Sequence, residues 1–192
     1  MRVAAMLSSI VVLAAIGSAP AVFAQGSQSA IVIPEFYENF DARFSALFPS
    51  PPEETEITYT AADGGRFPAR QFSVVNGSNR YSVTVADFSS GGGPAVELDA
   101  VVHAQNEMIG QGELIYQSDH PYEPGVESRQ FLASLESGDQ LHGAIYMWDH
   151  HLFVIEARGT RGEPTLLRFA QSITLFEEGG DELNFGGPPG PP

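Results

Sequence analysis

The chain has no cysteine and no lysine. Without cysteine there is no disulfide staple and no site for lipid attachment at a leader cysteine. All nine basic residues are arginine, which removes the P-loop lysine, the Schiff-base lysine and the Ser–Lys catalytic pair. Positive charge is scarce altogether, since 24 acidic residues bring the formal net charge to −15. Such a surface repels nucleic acid and anionic membranes and favours solubility. No segment after residue 24 is apolar for long enough to cross a bilayer. Catalytic signatures are missing too: neither G-x-S-x-G nor H-E-x-x-H occurs. Ser118-Asp119-His120 contains the residue types of a hydrolase triad, but consecutive residues cannot adopt its geometry.

What is present begins with Arg2, an apolar run over residues 3–16, and small residues ending Val22-Phe23-Ala24. This order predicts a secretory leader over 1–24, cleaved before Gln25, and hence a periplasmic or secreted protein with no membrane insertion after cleavage. Loss of Arg2 leaves 8 arginines against 24 acids, a net charge of −16. The remaining chain is expected to comprise an N-terminal segment over 25–43, a single domain over 44–176, and a tail over 177–192. The tail is acidic and then Gly/Pro-rich, with little to bury, and is expected to be disordered.

The densest apolar stretch of the mature chain is residues 140–159, which holds the lone Trp148 and three histidines. A two-residue turn at Asp149-His150 would fold it into a hairpin that pairs Trp148 with His151, Met147 with Leu152, Tyr146 with Phe153, Ile145 with Val154 and Ala144 with Ile155. Alternation then puts Tyr146, Phe153 and Ile155 on one face and Ile145, Met147, Leu152 and Val154 on the other. Both faces are apolar, so the hairpin is expected mid-sheet with a layer on each side.

Around it, residues 35–43 are read as a helical turn or two. Strands are expected at 44–48, 54–61, 66–75, 81–88, 113–117 and 130–135, with turns at Asp63-Gly64-Gly65 and Asn76-Gly77. The helical periodicity of Leu98, Val101, Val102, Met108 and Ile109 predicts a helix over 95–109, stopped by Gly110. Pro164 starts a second, carried through Leu166, Leu167, Ala170 and Ile173.

Two places suggest metal chemistry. Asp99, His103 and Glu107 recur at i, i+4, i+8 and so share one helix face, where imidazole and carboxylates suit a divalent ion. An ordinary solvated acidic face is the commoner explanation of such a row. At the hairpin tip stand His150 and His151, with His142 and His120 as further imidazoles. Neighbours on a strand point to opposite faces, and His142 lies too far down its strand to join them. The acids Glu53, Glu54, Glu56, Glu177, Glu178, Asp181 and Glu182 lack the spacing of a calcium loop and read as solvated charge.

The order of elements resembles the PsbP-like family, in particular its small exported bacterial members. The residues that carry it are Phe44-x-x-x-Phe48-Pro49, the meander through Tyr81, the mid-chain helix, Pro124-Gly125-x-Glu127-x-Arg129, Leu152 through Ala157, and Arg168-Phe169-x-x-Ser172-Ile173. The pattern covers about residues 44–175 and contains no functional motif. It implies an α/β (α+β) fold: a central antiparallel sheet covered by helices on both faces. The functional expectation is a non-enzymatic exported domain that binds a protein partner or assists an envelope complex, without a cofactor. Divalent-metal binding is the alternative.

Overall fold

A computed structural model describes residues 35–91, 93–119 and 126–181. The expected leader, residues 25–34, His120 and the tail from 182 lie outside them. Two antiparallel sheets dominate. The larger has seven strands in the order β3-β4-β5-β9-β8-β7-β6, namely β3 (Glu53–Thr60), β4 (Arg66–Asn76), β5 (Asn79–Asp87), β6 (Glu113–Ser118), β7 (Glu127–Ser134), β8 (Gln140–Trp148) and β9 (His151–Gly159). The smaller has three, in the order β1 (Glu35–Asn39), β2 (Phe44–Phe48) and β10 (Thr174–Leu175). Only two helices are present among the described residues, α1 (Pro94–Ile109) and the seven-residue α2 (Pro164–Ala170). Neither is long and apolar enough to cross a membrane.

The β8–β9 hairpin has the expected register, with Trp148 opposite His151 and Ala144 opposite Ile155. It also sits inside the large sheet, flanked by β5 and β7. Its two faces feed two cores. Ile145, Met147 and Leu152 pack with Val101, Ala104 and Met108 of α1, together with Phe67, Phe88 and Phe131. Tyr146, Phe153 and Ile155 pack on the opposite side with Phe44, Phe48, Phe72, Tyr81 and Phe169.

That second core corrects the expected fold class. The fold is mostly β, and the sheet is not covered by helices on both faces. One face carries α1; the other carries the small sheet, with the short α2 beside it. The reason lies in β2, where Phe44, Ala46 and Phe48 are all fully buried. Their period of two gives an apolar face only to a strand. Residues 35–39, read as helical, instead pair with β2 from Glu35 opposite Phe48 to Asn39 opposite Phe44. The second helix also ends early. Ser172 Oγ donates to the Phe169 carbonyl and accepts from the Leu47 amide, which turns the chain toward β2, where Thr174 and Leu175 form β10.

Candidate functional site

The tip of the central hairpin turns on Asp149 and His150, with φ of 46° and 61°. Two consecutive left-handed residues match the twist of a two-residue hairpin, and Asp and His tolerate that region better than most side chains. The turn is tied down on both sides. The His150 carbonyl accepts from the Phe88 amide at 2.7 Å, at the end of β5. The His150 ring reaches α1, with Nδ1 2.6 Å from Glu97 Oε1.

On the other side stands Arg43, whose own φ is 62° and which is only 8 % exposed. Its Nη1 meets Asp149 Oδ2 at 2.7 Å and its Nε donates to the Phe176 carbonyl at 3.0 Å. The guanidinium lies 4.2 Å from the centre of the Trp148 ring, where cation and π-face attract. Arg43 thus joins the turn before β2, the hairpin tip and the segment after β10. Its buried Nη2 has no hydrogen-bond partner among the described residues.

Beside this tip opens a cleft of about 940 Å³, lined by Asp41, Arg43, Asp87, Ser89, Asp149, His150, His151 and Glu178, with Phe40 and two glycines at its rim. A second cleft of about 450 Å³ shares Asp41, Asp87 and His151 and adds Glu56 and Arg70. Four carboxylates against one guanidinium make the larger cleft acidic. A hydrogen bond from Arg43 holds the Asp149 carboxyl below its usual range despite some burial. The Ser89 hydroxyl and amide do the same for Asp87, aided by the two histidines. Glu97 raises the His150 pKa by accepting its hydrogen bond and through its charge. Nδ1 of His150 is engaged by Glu97 and Nδ1 of His151 by the Asp149 carbonyl 2.7 Å away, and the Ser89 hydroxyl donates to Asp87. This arrangement attracts cations.

The two tip histidines diverge, His150 toward α1 and His151 toward Phe153 on the opposite core, 6.3 Å between ring centres. Both still reach the mouth of one cleft. His142 pairs with Ala157 near the far end of the hairpin, where burial lowers its pKa. On α1, His103 meets the Tyr59 ring edge-on at 6.4 Å. Burial and the Glu107 charge push the Tyr59 phenol up to about 12. Asp99 is exposed. Among the described residues no group of three or more His, Asp or Glu is placed to hold a metal ion, and the Asp99–His103–Glu107 row is no exception.

Arg43, Asp41, Asp87 and Glu97 were not singled out from sequence. Asp87-Phe88-Ser89 did offer a signal, since an Asp two residues before a Ser caps a turn with its own side chain. Glu178, read as solvated charge, lines the cleft.

No family model matches the sequence, and no curated protein does. In structure the chain is similar to the solution structure of cyanobacterial PsbP (CyanoP) from Synechocystis sp. PCC 6803. The TM-score is 0.49 at 12 % identity, over 84 % of this chain and 99 % of that one. That structure bears the name of the family the sequence pattern resembles, and the likeness concerns the course of the chain alone.

Proposed function

We propose that the protein is an exported, non-enzymatic domain that binds a partner protein in the envelope through the acidic cleft at the hairpin tip. The carrying observation is the cleft itself: Asp41, Asp87, Asp149 and Glu178 converge on a turn tied to β5, α1 and Arg43. Carboxylates on a tied frame, Asp87 and Asp149 held ionised by Ser89 and Arg43, suit the Arg or Lys side chains of a partner, through charge-assisted hydrogen bonds. Divalent-metal binding is the competing expectation; among the described residues no three His, Asp or Glu are grouped to hold an ion.

Crosslinking in the native envelope is expected to give a discrete species containing a second protein. Asp41→Asn with Glu178→Gln should weaken it, because both side chains are exposed and their loss leaves the fold intact. Raised salt should weaken it too. Recovery of this chain alone at native expression levels would count against the reading.

A further inference from the structure

The turns at the two ends of β4 each place a glycine after Asp or Asn, as Asp63-Gly64 and Asn76-Gly77, and they are built differently. In the first turn the groups are held. The Gly64 amide donates to the Ala61 carbonyl at 2.9 Å, and Asp63 Oδ1 accepts from the Gly65 amide at 2.8 Å. In the second they are free. Asn76 closes the β4–β5 ladder opposite Asn79, so Gly77 and Ser78 stand beyond the last pair. Among the described residues the Gly77 amide donates to no other backbone group, and the Asn76 side chain has no hydrogen-bond partner. Asn76, Gly77 and Ser78 are all exposed. The φ of 63° at Gly77 keeps that position for glycine, so no Cβ shields its amide nitrogen.

The other described asparagines are engaged. Asn39 Oδ1 accepts from the Ala42 amide at 2.8 Å, and its Nδ2 donates to the Tyr37 hydroxyl at 3.1 Å. Asn79 Oδ1 accepts from the Thr160 amide at 3.3 Å, and the amide that follows Asn79 belongs to β5. Asn106 lies inside α1, where the next amide is held in the helical ladder. Asn76 alone combines a free side chain with a free, unshielded neighbouring amide.

We infer that Asn76 is a modification site, at which the chain itself converts asparagine to aspartate and isoaspartate through a cyclic imide. The Gly77 nitrogen gives up its proton to water or hydroxide and attacks Asn76 Cγ. A C–N bond forms, and Nδ2 takes up a proton and leaves as ammonia. Water then adds to either ring carbonyl. Opening the bond to Cγ gives aspartate; opening the bond to the main-chain carbonyl carbon gives isoaspartate, whose backbone runs through Cγ. Water is the only co-reactant, and no oxidant or reductant takes part. Each conversion exchanges a neutral amide for a carboxylate, so a population of this chain grows more acidic with age.

The purified full chain, held at mildly alkaline pH and followed by peptide mass spectrometry, is expected to lose Asn76 progressively and to gain isoaspartate there. Asn39, Asn79 and Asn106 should persist over the same period. The rate should rise with pH, because the attacking group is the deprotonated amide. Anion exchange should resolve a more acidic form that grows with time. Asn76→Gln should not produce that form, since the larger ring closes far more slowly, and an exposed turn residue tolerates the change without loss of the fold. An Asn76 that converts no faster than Asn79 or Asn106 overturns the inference. So does an acidic form that grows as fast in Asn76→Gln, because the change then lies at another residue.

Discussion

Arg43 is a charged residue with little access to water, and the folded chain compensates it with Asp149, the Phe176 carbonyl and the Trp148 ring. Arg43→Met keeps the aliphatic stem but removes two charge-assisted hydrogen bonds and a cation–π contact. Its expected cost is about 2–4 kcal/mol, read from urea unfolding. The tip also responds to pH in a definite sense. The folded His150 pKa lies above its ordinary 6.5, so the His150–Glu97 contribution is complete below 6.5 and is lost as pH rises through the raised value. Asp149 and Asp87 are held below their ordinary 3.8, so their contributions are complete above 3.8 and fade as pH falls through the lowered values. The tip is therefore most cohesive between those limits. His150→Asn, which tolerates the left-handed turn, should lower the melting temperature more at about pH 6 than at about pH 9. An equal loss at both would disprove the ion pair.

At the scale of elements, the central hairpin was legible down to its register. A two-residue turn at the middle of an apolar stretch leaves one pairing that gives both strands consistent faces. Its neighbour β7 was legible only in part. It begins at Glu127, three residues before its apolar pattern does. The β7–β8 contact includes a fit that sequence does not disclose: a Cβ on Gly143 would run into the Phe131 ring. Gly143 thus makes room for a buried aromatic on the adjacent strand. Gly143→Ala should destabilise the protein by about 1–3 kcal/mol, as overpacking does, and Phe131→Leu should recover part of that loss in the double variant. Thermal melts of the three variants decide it. Of the small sheet, sequence reading found the middle strand β2 and missed its partners β1 and β10. Phe36 on β1 is exposed while Phe44 and Phe48 on β2 are buried, so the segment shows no clean alternation until its partner is known. The cleft was hidden for a related reason. Arg43 and Asp149 meet across 106 positions and Arg43 and Phe176 across 133, and no local pattern encodes such a contact.

For the whole molecule, strand order matters more than strand content. Within the large sheet every neighbour is also a neighbour in sequence except one pair, β5 with β9. Along that seam Val83 faces Ile155 and Tyr81 faces Ala157, all four buried. The sheet is therefore two meanders, β3–β5 and β6–β9, each able to form from local contacts and joined by one non-local ladder. Residues 89–91, between β5 and α1, are exposed and carry no strand, so a protease site placed there should be cut in the native protein. The halves should stay together in native buffer, held by the seam and by Arg43. After separation in denaturant they should recombine at a rate proportional to concentration, whereas the intact chain refolds at a rate independent of it. Halves that drift apart in native buffer, or that never rejoin, would break this picture. The domain is thus a heterodimer carried on a single chain. The loop before α1 serves as a tether, setting the effective concentration at which one half meets the other.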